Sequence, residues 1–305
     1  MRVFILLFLS FNFVWAEECP SIILDKEGSH AASLQHGDQG NSGLCYSFLM
    51  CKLIDIKRAE DSEESLSENC SPVALGISTA LSQMGEEFRR KGQIDSAWAC
   101  DAFRASQKSG LCDVDSAYHD MANYKKNHTK IINESETAGT ANKGDPINYL
   151  ASKWSADCGI GKSGYIAPLS GYQCQSESRQ NAQEFRELIL EKIKKKNAAP
   201  FGIHFCNRML FRGPGFKGVT ALDASNAKNA KWDSNCDTHY VLVRGMSKGA
   251  QGQCRLLLKN TILDNCSLMH PKWKCQQNGD LEVDLDELSN NVFEVVDLVK
   301  TNQDQ

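Results

Sequence analysis

One cysteine stands where a nucleophile would be useful. Cys45 follows the glycine-containing run Asp38-Gln39-Gly40-Asn41-Ser42-Gly43-Leu44 and opens a helical pattern in which Tyr46, Leu49, Leu53 and Ile56 recur three and four residues apart. At a helix start the backbone N–H groups lack intrahelical partners and the dipole is positive, so the thiolate is favoured over the thiol. The same N–H groups can stabilise an oxyanion, and the side-chain amide of Gln39 could complete the hole. A disulfide cysteine at a helix start would have the same local sequence. Two other residues separate the readings, because a thiol nucleophile needs a base and the base needs a group that holds its ring. His239 begins the apolar strand pattern His239-Tyr240-Val241-Leu242-Val243, which ends at Gly245, and Asn260 closes another, Leu256-Leu257-Leu258-Lys259-Asn260. Strand ends hold side chains rigidly, which suits both roles.

Together these residues resemble the papain family of cysteine peptidases. That family's nucleophile motif reads Gln-Gly-x-x-Gly-x-Cys-Trp-x-Phe. Here Gln39, Gly40, Gly43, Cys45 and Phe48 fall in register, with Tyr46 in place of the tryptophan. The family's histidine opens a strand of the type His-Ala-Val-x-x-Val-Gly, followed by His239, Val241 and Gly245. Its asparagine closes one of the type Leu-x-Lys-Asn-Ser, similar to Leu257-Leu258-Lys259-Asn260-Thr261. Gly92 with Ser96-Ala97 looks like the segment whose glycine backbone pairs with substrate, although Lys91 replaces a second glycine. The resemblance implies that Cys45 is the nucleophile, His239 the base and acid, and Asn260 the orienting group. It further implies an oxyanion hole from Gln39 and Cys45, substrate binding at Gly92, and hydrolysis through a thioester acyl-enzyme. Two departures carry expectations of their own. Ser42 replaces a family cysteine that forms a disulfide, so the bridges must be rearranged. Ile262 replaces a tryptophan that shields the Asn–His hydrogen bond, which predicts a wetter bond here. Two alternatives stay open: a binding protein on the same fold with weak or lost turnover, and an acyl transferase or peptide ligase using the same intermediate.

The remaining elements must bring residues 45, 239 and 260 together. Ser71-Pro72 caps a second helix running to about Met84, and Asp95 or Ser96 opens a third that Gly110 stops. The polar stretch 113–180 has weak periodicity and yields no placed elements. Asn181 with Glu184 forms a capping-box pattern for a helix closed by Lys192 to Lys196. Strand-length apolar runs follow at Phe201 to Phe205, Tyr240 to Val243, Arg255 to Leu258, Leu281 to Leu285 and Val292 to Val296. Helices first and strands later predict an α+β fold. The resemblance makes this a mainly helical lobe, residues 17–165, carrying the nucleophile helix against a β-barrel-like lobe, residues 166–305, carrying His239 and Asn260.

Arg2, the apolar run Val3 to Val14 and the small-residue site ending at Ala16 read as a signal peptide, residues 1–16. The run is too short to span a bilayer. A secreted or periplasmic protein, free of the membrane after signal cleavage, is expected. All 13 cysteines lie beyond that site. Thirteen is odd, so a disulfide framework with one unpaired thiol, assigned to Cys45, is expected. No CxxC pair is present and His204-Phe205-Cys206 stands alone, so no metal is expected. Gly159-Ile160-Gly161-Lys162-Ser163 lacks the leading glycine and preceding strand of a phosphate loop, and no cofactor is expected. A formal charge of −4 without a basic block argues against nucleic acid. The expected partner of this monomer is a peptide or protein substrate.

Overall fold

The computed structural model describes residues 19–25, 39, 42–62, 69–95, 97–113, 130–137, 143–211, 237–262, 266–276 and 278–301. The leader at 1–16 lies outside the described residues. Among the described residues no helix is long and apolar enough to cross a membrane.

Helix α1 (Cys45–Ser62) is the axis of the molecule. Fourteen of its eighteen residues are buried, including Ser47, Lys52, Asp55 and Lys57. It is therefore covered on all sides rather than on the single stripe that Tyr46, Leu49, Leu53 and Ile56 predict. Its buried polar groups have partners. Ser47 donates its hydroxyl hydrogen to the Pro72 carbonyl at 2.5 Å, and Asp55 accepts the Cys70 N–H at 3.1 and 3.2 Å. Against α1 pack α2 (Pro72–Gln83) and, beyond the short α3 (Glu86–Arg90), α4 (Ala99–Ser109), followed in the chain by α5 (130–137) and α6 (Pro146–Cys158); α3 lies between α2 and α6. Ser71 caps α2 with its side chain accepting from Ala74 N, as its sequence predicts. α4 begins four residues after Asp95, with Trp98 at its N-cap. The expected start at Asp95 or Ser96 fails because a Cβ on Gly43 would meet Asp95 at 2.5 Å, so this segment is committed to the loop ahead of Cys45.

The other half is one antiparallel sheet. Its strands are β1 (Ile22–Ile23), β4 (Tyr172–Glu177), β5 (Phe201–Cys206), β6 (Thr238–Lys248), β7 (Cys254–Lys259), β8 (Lys274–Cys275), β9 (Asp280–Asp284) and β10 (Val292–Lys300). They run in the order β4-β10-β5-β6-β7-β9-β8, with β1 also paired to β6, while β2 (Leu111–Cys112) and β3 (Tyr165–Ile166) form a separate ribbon. β6 does not end at Gly245. Its register shifts there, and β1 pairs Ile23 with Gly245 at a point where a Cβ would strike the Ile22 carbonyl. Helix α7 (Ala182–Lys194) covers the sheet, capped by the Asn181 side chain on Glu184 N at 3.0 Å. Helix α8 (Leu285–Ser289) starts from an Asp284 cap, one residue before the predicted end of that strand.

The mixture of helices and antiparallel sheet is the expected α+β class. One apolar core gathers α1, α2, α4 and the β2–β3 ribbon, reaching across to Tyr240, Leu242, Val296 and Leu298. A second lies between the sheet and helices α7 and α8. Gly202 on β5 faces Leu49 of α1, where an added Cβ would collide, so the bare backbone lets the sheet sit close to that helix. Five bridges join described residues: Cys19–Cys254, Cys51–Cys70, Cys100–Cys174, Cys112–Cys158 and Cys266–Cys275. Cys206 is also disulfide-bonded.

Candidate active site

Cys45 is the first residue of α1 and the one free cysteine among the described residues. The first helical turn closes on Leu44, whose carbonyl accepts Ser47 N at 2.8 Å and Phe48 N at 3.0 Å. The N–H groups of Cys45 and Tyr46 stay outside that turn, and they and the backbone of Tyr240 act on the Cys45 sulfur to favour its thiolate. The β6 backbone next to His239 thus reaches the thiol across the junction between helices and sheet. The Tyr46 hydroxyl donates to the Ile94 carbonyl at 2.6 Å, fixing the segment that lies against Gly43.

His239 and Asn260 come from the ends of neighbouring strands. Their ring nitrogen Nε2 and amide oxygen Oδ1 are 2.7 Å apart, and both residues are 2% exposed. The amide is held by Ile262, whose N–H donates to Oδ1 at 3.2 Å and whose carbonyl accepts from Nδ2 at 3.3 Å. That fixes the oxygen towards His239, so Nε2 carries the proton and Nδ1 is left with its lone pair. The wetter bond expected from Ile262 is not found. The backbone of Ile262 locks the amide while the surrounding fold excludes water.

Gln39 is buried and doubly tied to the residue after Asn260. Its N–H donates to the Thr261 carbonyl at 2.9 Å, and its Oε1 accepts from the Thr261 hydroxyl. Its Nε2 donates to the Ser42 carbonyl at 2.7 Å, which occupies one of the amide's two hydrogens. Ser42 returns its hydroxyl hydrogen to the Gln39 carbonyl at 2.7 Å. Where the resemblance expects a cysteine, a hydroxyl closes the turn instead. Gly92 takes a left-handed conformation, φ 63°, beyond α3, with its N–H donated to the Arg89 carbonyl at 3.0 Å. Asp95, three residues on, is the part of this loop that touches Gly43. Residues 39, 45, 239 and 260 are drawn to one junction, and Gly92 sits at the far end of the loop beside it.

Burial sets the electrostatics. It pushes the Cys45 thiol up to about 11, against the three backbone donors that draw it down. It pulls His239 down to about 4, against the Asn260 hydrogen bond. The helix start therefore does not produce a standing thiolate. Water exclusion outweighs the backbone groups at Cys45 and the Asn260 contact at His239, which favours the neutral form of each. Among the described residues no group of three His, Cys, Asp or Glu is placed to hold a metal.

No protein-family model matches the chain, and no curated protein matches it. Solved structures do. A structure addressing antibody cross-reactivity between the mite allergens Blo t 1 and Der p 1 is similar at a TM-score of 0.50 and 13% identity, covering 94% of this chain and 73% of that one. The chain has the papain-like fold. Two further structures are similar below a TM-score of 0.5. The bromelain protease from Ananas comosus in complex with the E64 inhibitor matches at 0.47 and 13% identity, covering 92% of this chain and 99% of that one. Digestive procathepsin L 3 of Tenebrio molitor matches at 0.49 and 14% identity, covering 94% and 72%. A likeness this distant carries the papain-like fold and no residue's role. Two contributors carried no signal of their own in the sequence, Thr261 and the Tyr240 backbone, because a hydroxyl and a peptide group gain their roles only from what lies opposite.

Proposed function

We propose that this chain is an exported cysteine peptidase that hydrolyses peptide bonds with Cys45, His239 and Asn260. The observation that carries the reading is the buried 2.7 Å contact between His239 and Asn260, which leaves Nδ1 free on a strand whose next residue, Tyr240, acts through its backbone on the only free thiol among the described residues. In this reading the Cys45 sulfur attacks the scissile carbonyl carbon as its proton passes to His239 Nδ1. The resulting oxyanion is met by the Cys45 N–H and by the remaining Gln39 amide hydrogen. His239 then returns the proton to the leaving amine, and water hydrolyses the thioester with His239 as base. The loop from Gly92 to Asp95 offers backbone to an extended substrate. The disulfides support an oxidising, extracytoplasmic destination.

One observation favours a second reading, a binding protein without turnover: Cys45 is 8% exposed and its thiol is held protonated. A fluorogenic peptide library assayed on signal-cleaved protein beside Cys45→Ala separates the two. Cleavage that falls about a thousandfold or more in the variant supports a peptidase. Cleavage in neither supports the binding protein. For a peptidase, the acid limb of kcat/KM should lie near pH 4, because His239 accepts the thiol proton only while it is itself unprotonated. A limb near 6.5 would mean that His239 is solvated in the working enzyme.

A further inference from the structure

The side chain that follows Cys45 ties the start of α1 to the loop from Gly92 to Asp95. Tyr46 is fully buried, and its hydroxyl donates to the Ile94 carbonyl at 2.6 Å, 48 residues away in the chain. Space for this bond comes from α2. A Cβ on Gly76 would stand 2.8 Å from Leu44 Cδ2 and 3.5 Å from the Tyr46 hydroxyl, with Ile94 Cδ1 at 3.7 Å. The bare backbone of α2 therefore lets Leu44, Tyr46 and Ile94 meet against it. The papain motif carries tryptophan at position 46, so this hydroxyl is a departure of the present chain.

The loop is held at two places. Asp95 lies against Gly43 in the run ahead of Cys45, and the Ile94 carbonyl is held by Tyr46. Among the described residues, Tyr46 supplies the one side-chain hydrogen bond that reaches Ile94 or Asp95 from outside the loop. Its own backbone N–H acts on the Cys45 sulfur. One rigid ring thus spans from the candidate nucleophile to the backbone offered to substrate, and phenylalanine would fill the same space without the second attachment. Ser47 makes a matched bond away from the loop. It is equally buried and donates its hydroxyl hydrogen to the Pro72 carbonyl at 2.5 Å, joining α1 to α2.

We propose that Tyr46 is a positioning residue, which through Ile94 fixes the loop from Gly92 to Asp95 at the distance from Cys45 that an extended peptide requires. The inference rests on the peptidase reading, and its test separates the two. Short fluorescein-labelled peptides are titrated into Cys45→Ala protein, alone and with Tyr46→Phe or Ser47→Ala added, and amide exchange is followed by mass spectrometry over the loop. Each added substitution leaves a carbonyl without its donor, so both should lower the urea midpoint by similar amounts. Tyr46→Phe alone should speed exchange in the loop and weaken peptide binding, each by about tenfold. With Cys45 restored, Tyr46→Phe should raise KM by about the same factor and leave kcat nearly unchanged, because the bond supports substrate and transition state alike. Loop exchange unchanged by Tyr46→Phe overturns the proposal, as does equal weakening of peptide binding by Ser47→Ala or a loosened loop that binds peptide as tightly as before. Peptides that bind Cys45→Ala and are weakened by Tyr46→Phe, yet are not cleaved by the wild type, would uphold this role and count against the peptidase reading alone. Peptide binding by none of the proteins would overturn both.

Discussion

The two walls of the junction are rigid for different reasons. On the helical side the candidate nucleophile Cys45 sits at the start of α1, which packs against its neighbouring helices. Three bridges reinforce that side: Cys51–Cys70 ties α1 to the start of α2, Cys112–Cys158 ties β2 to α6, and Cys100–Cys174 ties α4 to β4. On the sheet side His239 and Asn260 stand on adjacent strands of one hydrogen-bonded ladder, β5-β6-β7-β9. Disulfide-bonded cysteines lie on this side too, Cys206 among them, which pairs with Thr238 next to His239. A ladder fixes relative position through backbone groups that every residue supplies, whereas packed helices need particular side chains or covalent ties to do the same. The ladder is what holds the His239–Asn260 contact short and buried.

The contrast can be broken by removing one tie from each wall. Loop-closure entropy assigns about 4 kcal/mol to the Cys112–Cys158 bridge, whose ends are 46 residues apart, and about 2.5 kcal/mol to Cys266–Cys275, 9 apart. Paired Cys→Ser variants compared by urea denaturation should therefore lose more stability on the helical side. A larger loss from the shorter loop would mean that the sheet, too, depends on its bridge.

A second measurement addresses charge in the sheet wall. The folded-state pKa of His204 is depressed, so between pH 6.5 and about 3 the unfolded chain binds a proton that the folded one refuses. Its contribution is thus intact above pH 6.5 and is lost as pH falls. His239 acts in the same direction, while Asp55, raised to about 6 by burial, acts in the opposite one. Comparison with His204→Phe isolates the one residue. The variant should resist acid better by about 2.5 kcal/mol between pH 6.5 and 4.5, at roughly 1.36 kcal/mol per unit. Parallel pH profiles would show that His204 is solvated.

The smallest expected effect sharpens the link between the walls. Thr261→Val keeps the shape but leaves Gln39 Oε1 without its donor, a buried loss of about 1–3 kcal/mol. Activity should drop about tenfold, mainly in kcat, because a loosened Gln39 amide supports the oxyanion rather than the bound substrate. Thr261→Ser should restore it. A change confined to KM would assign Gln39 to substrate binding.

Much of the site was legible because its residues sit at element ends, where the chain marks itself. Cys45, His239 and Asn260 were each named from a helix start or a strand terminus and Gln39 from the loop before it, and the structure sets His239 against Asn260 and Gln39 against Thr261. The Ser71 and Asn181 caps were legible for the same reason: a side chain two or three residues from its N–H partner needs no tertiary help. The α4 start was misread because Asp95 and Ser96 have the right types for a cap, yet the chain there is held by Gly43 and Tyr46 from distant sequence. The stretch 113–180 was illegible because its apolar periodicity is weak: α5, α6, β3 and β4 gain their order from packing and from bridges to Cys100 and Cys112.

By itself the sequence determined which atoms could react, the α+β class, and the need for a disulfide framework with one thiol left over. Those follow from residue type, periodicity and count. Only the tertiary structure decided the state in which the reactive atoms rest and the company they keep. Burial, a property of the whole packed chain, reverses the local preference of a helix start and leaves Cys45 protonated. A row of Glu294, His204 and Tyr240 joins positions 90 residues apart in the chain, from 204 to 294, and exists only because three strands align in register. Local chemistry is written in neighbours along the chain, whereas water exclusion and strand register depend on residues that no local window contains.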